Sequence, residues 1–305
     1  MMADDGEDRD GGGVGGRAGV PQRRAEDRKR QDRMASVRQA IRDELGAGAV
    51  EDRVPEEPGP IPGAVIQLEH VALAFDRPVL EDVSLMIMPG ETVVVVGESG
   101  TGKSTMLKLI LRMLVPDEGH VYIDGEDIAN LSFEEALVVR QKMGMVFQSA
   151  ALFDSMTVLD NVAYPLREHT DLGDDEIERR VREKLHFVDL DPDEVLEMFP
   201  AELSGGMKKR VGIARGMAND PKIMLYDEPT SGLDPLTTGT ITRLIMKLQR
   251  ELDVTSVVVS HDIRSANKMA SKIALLAECH IRFFGTPEEM SASEDPYIRD
   301  FLGGL

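Results

Sequence analysis

The sequence has a single cysteine, no long apolar run and a deficit of positive charge. With only Cys279, an intrachain disulfide is impossible, and a reducing compartment is the simplest expectation. The longest apolar runs, such as TVVVV at 92–96, have the length of a strand. A bilayer span needs about 20 apolar residues, so no membrane-crossing helix is expected. Lys and Arg number 35 against 55 Asp and Glu, and the net charge of −20 argues against a nucleic-acid partner.

Residues 1–63 differ in composition from the rest of the chain. They contain a Gly-rich stretch, DGGGVGGRAG, and a Pro/Gly linker, VPEEPGPIPG, which bury too little apolar surface to offset chain entropy. Between these stretches, apolar residues fall on one helical face: Met34, Val37, Ile41 and Leu45. We expect a disordered or loosely helical extension, with a docking helix as the alternative. A main domain at 64–290 and a C-terminal tail at 291–305 follow.

Three unbroken apolar runs predict buried strands of a parallel sheet: ETVVVVGESG at 91–100, KIMLYDEP at 222–229 and TSVVVSHD at 255–262. Each run ends in polar residues, and such sheets bind ligands beyond the carboxyl ends of their strands. Two further strands are predicted, at 64–75 by alternation and at 79–87. The mostly helical region at about 130–218 predicts an inserted helical subdomain.

The segment GESGTGKST at 97–105 matches the phosphate-loop pattern G-x-x-x-x-G-K-[ST]. It follows a predicted strand and opens an apolar helix, which is the context that the pattern requires. Gly97 and Gly102 allow backbone N–H groups to curl around a phosphate, and the helix N-terminus adds a positive dipole. We expect Lys103 to reach the β- and γ-phosphates and the Ser104 hydroxyl to bind Mg²⁺. The segment therefore predicts a nucleotide site rather than a Gly-rich turn with a chance lysine.

Polar residues after the other strands suggest the rest of a catalytic site. Asp227 suits a second Mg²⁺ contact, and Glu228 suits a general base that polarises an attacking water. Without the phosphate loop, an ordinary strand-to-loop Asp-Glu would be the better interpretation. His261 ends the third run, where catalytic and structural roles are equally supported. Gln148 follows MGMVF, and the residues alone favour polar surface there.

The ordered set of motifs resembles the ATP-binding cassette (ABC) ATPases. In chain order the motifs are the phosphate loop at 97–105, Gln148, LSGGM at 203–207, IMLYDE at 223–228, SGLD at 231–234 and His261. The resemblance covers about 64–290. It implies an α/β fold with a P-loop NTPase (RecA-like) core and a mainly parallel sheet, an antiparallel β-subdomain and an inserted helical subdomain. It also implies ATP hydrolysis with ATP and Mg²⁺ as cofactors.

In this family the Gly-Gly signature binds ATP held by a second subunit. The resemblance therefore implies a homodimer in which Ser204, Gly205 and Gly206 contact the partner's nucleotide and Asp234 links the two sites. Met207 replaces the usual Gln of the signature, which leaves the backbone contact intact. The resemblance also implies that Phe75 stacks on adenine, although a core Phe is the alternative. It implies phosphate contacts from Ser99, Gly100 and Thr105. Gln148 would contact Mg²⁺ or the attacking water, and His261 would contact the γ-phosphate.

A narrower resemblance is carried by FQSAALFDSMTVLDNVAYPLREHT at 147–170 and DPYIRDFLGGL at 295–305. Both segments, and the Met after Gly-Gly, are similar to the ATPase of Mla-type systems, which work with MCE-domain proteins and move phospholipids between membranes. This implies a transmembrane permease and an MCE-domain lipid-binding protein as partners, and a cytoplasmic position on the inner face of the membrane through the permease. Five residues are expected to form a groove for the permease or to pack inside the helical subdomain: Ala151, Leu152, Phe153, Met156 and Val158.

The sequence leaves other functions open. Another ABC transporter, such as an amino-acid importer or a lipoprotein extractor, fits the same motifs. A non-transport ABC ATPase fits less well, because the chain has one cassette and no sustained heptads before the signature. A binding module without catalysis is disfavoured by the presence of both Glu228 and His261.

The tail at 295–305 has one apolar helical face: Tyr297, Ile298, Phe301, Leu302 and Leu305. We expect this face to dock on the chain's own domain. A clasp onto a neighbouring subunit is the alternative.

Overall fold

The computed structural model describes residues 59–303. The predicted helical face at 34–45, most of the N-terminal extension and Leu305 lie outside these residues. None of the helices within 59–303 is long and apolar enough to cross a membrane.

An antiparallel sheet of four strands forms one layer, in the order β2-β1-β4-β5. Its strands are β1 Ile66–Ala74, β2 Pro78–Ile87, β4 Glu118–Ile123 and β5 Glu126–Asp127. The predicted strands at 64–75 and 79–87 pair with each other in it, from Ile66 opposite Ile87 to Ala74 opposite Pro78.

A second sheet has six strands in the order β10-β9-β3-β8-β7-β6. Its strands are β3 Thr92–Val96, β6 Met143–Val146, β7 Ile223–Asp227, β8 Thr255–Val259, β9 Lys272–Ala277 and β10 His280–Gly285. All neighbours pair in parallel except β9 and β10, which form an antiparallel hairpin. The three unbroken apolar runs are adjacent central strands, so their carboxyl ends meet at one edge.

Helices surround this sheet. They are α1 Lys103–Ile110, α2 Phe133–Arg140, α3 Val158–His169, α4 Asp174–Phe187, α5 Pro192–Val195, α6 Gly205–Gly216, α7 Pro235–Leu252, α8 Ile263–Met269, α9 Pro287–Ser291 and α10 Pro296–Gly303, with a 3₁₀ turn at Pro200–Glu202.

The core lies on both faces of the six-stranded sheet. In β3, Val94 and Val96 join the core formed with the helices α3 to α8, whereas Val93 and Val95 join the core formed with α1 and the antiparallel sheet. Every residue of β3 is buried, because successive side chains point to opposite faces and both faces are covered. This burial on both faces explains why the run is apolar without alternation.

The predicted helical region at 130–218 begins too early. It contains β6, which pairs with β7 inside the main sheet, so the uninterrupted series of helices starts at Val158. Gly144 allows β6 to pack closely, because a Cβ there would lie 2.1 Å from the carbonyl oxygen of Gly216. The short strand is thus held in place by contact with α6.

The tail helix α10 packs on the chain's own domain. Ile298 is buried, and Tyr297, Phe301 and Leu302 are partly buried against the same core as the helices. An ion pair between Arg282 and Asp295, at 3.1 Å, joins β10 to the start of the tail. The four described residues of the tail's apolar face are therefore buried or partly buried against the chain's own domain.

Candidate active site

The loop between β3 and α1 depends on two glycines. Gly97 and Gly102 have φ values of +152° and +101°. A Cβ on Gly97 would lie 2.3 Å from the carbonyl oxygen of Leu276, and one on Gly102 would lie 2.9 Å from that of Val79. Both positions therefore require glycine for space as well as for conformation. The loop leads directly into the N-terminus of α1, where anions bind favourably.

Lys103 lies within this loop. Its Nζ donates to the carbonyl oxygens of Gly97 and Glu98, at 2.8 Å and 2.7 Å. Burial lowers the pKa of the Lys103 ammonium, and the charges of Glu228 and Asp227 act in the opposite direction. A cation is thus held where the phosphate-loop pattern places the β- and γ-phosphates.

Ser104 and Asp227 are adjacent, although 123 positions separate them in the sequence. The Ser104 hydroxyl donates to Oδ1 of Asp227 at 2.7 Å. A hydroxyl and a carboxylate are oxygen donors that Mg²⁺ prefers, and this ion needs only one or two protein ligands when phosphates supply the others. The pair therefore fits Mg²⁺ bound together with a nucleotide.

Glu228 and His261 form a pair at the ends of β7 and β8. Nδ1 of His261 lies 2.8 Å from Oε2 of Glu228, and the carboxylate accepts this hydrogen bond. The Glu228 backbone has φ +48°, a left-handed conformation that is uncommon for a residue with a Cβ. Its amide donates to the carbonyl oxygen of Val259 at 3.0 Å, which fixes this turn against the neighbouring strand. The turn directs the Glu228 side chain toward the loop that holds Lys103.

Gln148 lies on the other side of the same cleft. Its Nε2 donates to Oγ of Ser231 at 3.3 Å. Ten residues line the cleft, which has a volume of about 440 Å³: Val79, Ser99, Gly100, Gly102, Lys103, Ser104, Thr105, Gln148, Glu228 and His261. The structure therefore brings together nine residues that the sequence predicted for nucleotide binding or catalysis, with Val79 as an addition. Gly97 and Asp227 lie directly behind this lining, in contact through Lys103 and Ser104.

Phe75 follows β1 and is 62% exposed. The alternative interpretation of a core Phe is wrong. Its amide donates to the carbonyl oxygen of Arg77 at 3.1 Å, in the turn that leads to Val79. Phe75 does not line the cleft, but the turn that carries it ends beside the cleft.

The Gly-Gly signature lies outside this cleft. Ser204 caps α6, since its Oγ accepts from the amide of Met207 at 3.3 Å. Ser204 and Gly205 are exposed, whereas Gly206 packs so closely on α7 that a Cβ would lie 2.6 Å from Cγ2 of Thr237. The N-terminus of α6 is therefore presented to solvent within the described part of the chain.

Asp234 also lies outside the cleft, as the N-cap of α7. Its carboxylate accepts from the amides of Leu236 and Thr237, at 3.0 Å and 3.1 Å. The side-chain hydrogen bond from Thr237 is the main reason that the pKa of Asp234 is lowered. Its role across a dimer stays a prediction.

Two of the five residues expected in a permease groove line a groove in the structure, and the other three do not. A groove of about 430 Å³ is lined by Ala151 and Phe153 together with α2, β6, α3 and α6. Phe153 is partly exposed and packs on Tyr164 with ring centroids 5.1 Å apart. Val158 is fully buried and Leu152 packs on the core. Val158 and Leu152 therefore pack inside the domain, which was the alternative expectation. Met156 does not line the groove.

Sequence reasoning missed Lys209. It is buried on α6, and its Nζ donates to the carbonyl oxygen of Gln148. A second hydrogen bond, of 3.3 Å, reaches the carbonyl oxygen of Glu228. Lys209 lies three and four positions before the buried Gly212 and Ile213, so helical spacing places it on the buried face. That spacing is the signal that could have identified it.

The glycine loop at the carboxyl edge of a mainly parallel sheet defines a P-loop nucleotide-binding protein. The sequence profile of the ABC transporter family matches residues 80–231. The chain belongs to this family of ATP-binding transport proteins. It is an ATPase, and the predicted family, fold class and enzymatic activity are confirmed.

Two relatives illustrate the range within the family. The chain is 42% identical over 243 residues to the probable ribonucleotide transport ATP-binding protein mkl of Mycobacterium leprae, across 79% of this chain and 70% of the relative. It is 41% identical over 230 residues to the intermembrane phospholipid transport system ATP-binding protein MlaF of Escherichia coli, across 75% of this chain and 85% of the relative.

Solved structures of cassettes have the same fold. The dimeric ATP-binding cassette MJ0796 bound to ADP and Pi aligns with a TM-score of 0.67 and 36% identity, over 72% of this chain and 98% of the other. The cassette cbiO1 of Clostridium perfringens, part of the transporter complex cbiONQ, aligns with a TM-score of 0.70 and 27% identity, over 79% and 95%.

Proposed function

We propose that this ABC transporter subunit powers phospholipid transport of the Mla type. The observation that carries the proposal is its 41% identity to MlaF over 85% of that relative's length. The resemblance of the segment at 147–170 and of the tail at 295–305 to that subfamily agrees with this match. The subunit lies on the cytoplasmic face of the membrane through a permease, and an MCE-domain protein is the lipid-binding partner.

Hydrolysis of ATP uses the residues around the cleft. Lys103 and the loop amides bind the phosphates, and Ser104 and Asp227 would hold Mg²⁺ together with Gln148. When bound, Mg²⁺ supplies positive charge that stabilises the phosphoryl oxygens. The Glu228 carboxylate accepts a proton from the attacking water. His261 donates from Nδ1 to Glu228. The γ-phosphate oxygens only accept hydrogen bonds, so a contact from Nε2 of His261 needs a proton on that nitrogen as well.

The complete site requires a second copy of the chain. Ser204, Gly205 and Gly206 are separate from the chain's own cleft, and the α6 N-terminus offers a positive dipole for the partner's γ-phosphate. The dimeric state of the MJ0796 cassette supports this arrangement. Bound ATP then favours the dimer by mass action, because it contacts both copies.

The groove around Phe153 receives the permease. Its aromatic pair and the Arg215 guanidinium, which lies 5.6 Å from the Phe153 ring centroid, offer an apolar contact with a cationic rim. The segment that carries Phe153 begins at Gln148, so movement of the docked partner reaches the cleft through five residues.

Ribonucleotide transport is the second candidate, supported by the 42% identity to mkl. The test is to purify the chain with its copurifying membrane partners and to identify bound small molecules by mass spectrometry. Phospholipid transport predicts phospholipid enriched over a matched membrane complex purified in the same detergent. Ribonucleotides other than ATP and ADP, without lipid enrichment, would favour the second candidate.

The catalytic assignment has its own test. Glu228→Gln keeps the shape of the side chain but removes the base, so hydrolysis should fall roughly 10²–10⁴-fold while ATP binding is retained. Glu251→Gln, the same change at an exposed position of α7, is the control and should leave the rate unchanged. Near-normal turnover of Glu228→Gln would remove Glu228 from the role of base.

A further inference from the structure

Lys209 is a buried cation in contact with two catalytic segments. Its side chain comes from α6, and only 5% of the residue is exposed. The Nζ donates to the carbonyl oxygen of Gln148 and, at 3.3 Å, to that of Glu228. One ammonium therefore joins the backbones of the residue that contacts Mg²⁺ or water and of the general base.

Burial of this ammonium indicates a specific role. An ammonium has three N–H donors, and removing it from water is costly unless they are satisfied. A methionine or leucine would fill the same space without this cost. Burial lowers the pKa of Lys209, and the nearby charges of Glu228 and Asp227 oppose the shift. The compensation for burial thus comes from the catalytic segments.

Both segments have backbone conformations that need support. Glu228 has φ +48°, and its carbonyl oxygen also accepts from the amide of Ser231 at 3.2 Å. After Gln148, Ala150 and Ala151 have φ values of +62° and +46°. A left-handed backbone is unfavourable for a residue with a Cβ, so contacts to the segment help to hold it. Lys209 supplies one such contact to each segment.

The same face of α6 holds the rest of the segment after Gln148. Arg215 donates to the carbonyl oxygens of Ala150 and Ala151, at 2.8 Å and 2.7 Å. Gly212 lies so close that a Cβ would be 3.1 Å from Cβ of Ala150. Lys209, Gly212 and Arg215 recur every three residues along α6. The helix therefore fixes this segment at several points, of which Lys209 alone reaches Glu228.

We propose that Lys209 is a positioning residue for ATP hydrolysis. From α6, the helix capped by Ser204, it holds the backbones of Gln148 and Glu228 in place. This inference rests on the proposed function, since it takes Glu228 as the base. The helix that carries the signature to the partner's nucleotide is thereby tied to the catalytic residues of its own chain.

The test compares Lys209→Met with Lys208→Met in the full-length chain. Both changes replace an ammonium by a thioether on neighbouring positions of α6, but only Lys209 contacts the catalytic segments. We expect Lys209→Met to lower kcat about 10–100-fold, as misplaced catalytic groups do, with the Kd for ATP within about threefold. Lys208→Met should keep both values. Lys209→Arg, which keeps donors and charge, should recover part of kcat.

A double variant separates positioning from general damage. If Lys209 acts partly through Glu228 and partly through Gln148, then Lys209→Met should lower kcat less in the Glu228→Gln background than in the wild-type chain. Multiplicative losses, an unchanged kcat for Lys209→Met, or an equally deep loss for Lys209→Arg would each overturn the proposal. If Lys209→Met does not fold, Lys209→Gln, which retains amide donors, replaces it in the same cycle.

The Glu228→Gln single variant distinguishes failure of the proposed general base from failure of the positioning role of Lys209. Normal hydrolysis by Glu228→Gln refutes the base on which the positioning role depends. A defective Glu228→Gln beside a normal Lys209→Met leaves the proposed function intact and refutes only the role of Lys209.

Discussion

Phe75 offers a direct test of how the nucleotide's base is held, because its ring is 62% exposed. Phe75→Ala removes the ring that is predicted to stack on adenine. Base–aromatic stacking contributes about 1–3 kcal/mol, which corresponds to a Kd for ATP roughly 5–150-fold weaker. The free energy of unfolding should fall by a smaller amount. Full burial of a Phe is worth about 1.5–3 kcal/mol, and about two fifths of that gives about 0.6–1.2 kcal/mol here.

Two assays separate these effects. Calorimetric titration with ATP measures the Kd, and thermal unfolding should show a Tm lowered by only a few degrees, about 2–4 °C per kcal/mol for a domain of this size. Phe133→Ala is the matched control, because Phe133 is 67% exposed on α2 and lies outside the cleft. Phe75→Tyr, which keeps the ring, should bind ATP normally. An unchanged Kd for Phe75→Ala would refute adenine stacking.

Three further predictions concern the tail, the groove and the metal. Ile298→Ala should lower the free energy of unfolding by about 2–5 kcal/mol at every protein concentration, because Ile298 is buried in its own domain. The control Asp300→Ala, at an exposed position of the same helix, should leave stability unchanged. A loss of stability that appears only on dilution would favour a clasp between subunits. Phe153→Asp should leave the hydrolysis rate of the isolated chain within about twofold but abolish copurification of the permease, and retained copurification would contradict the groove assignment. Asp227→Asn should lower Mg²⁺-dependent hydrolysis roughly 10²–10³-fold, while ATP binding measured in EDTA stays near normal; equal losses in both would contradict a metal role.

Local patterns predicted much of the fold and of the cleft. The phosphate loop could be recognised because its glycines satisfy steric demands within a few residues of Lys103. The central strands could be recognised because burial on both faces requires unbroken apolar runs, as in β3 and β8. Those strands then brought Asp227, Glu228 and His261 to one edge, as parallel pairing dictates.

Features that depend on contacts between distant elements were harder to predict. Strand β6 has only four residues, and its Gly144 allows a close approach to Gly216 on α6. The helical subdomain was therefore predicted to begin too early. Val158 and Phe153 are both apolar, but only packing against the core distinguishes a buried residue from one that lines a groove. Lys209 was missed because its partners are backbone carbonyl groups, which no side-chain motif specifies.

Mixing two inactive variants tests most directly whether hydrolysis requires two copies of the chain. Lys103→Ala destroys a chain's own phosphate site, and Ser204→Arg blocks the signature that it offers to its partner. Each variant alone should be inactive. Random pairing of equal amounts makes half of the dimers mixed, each with one intact composite site, so about a quarter of the wild-type ATPase rate should return if the sites act independently. No recovery on mixing, with dimers demonstrably formed, would contradict the shared site.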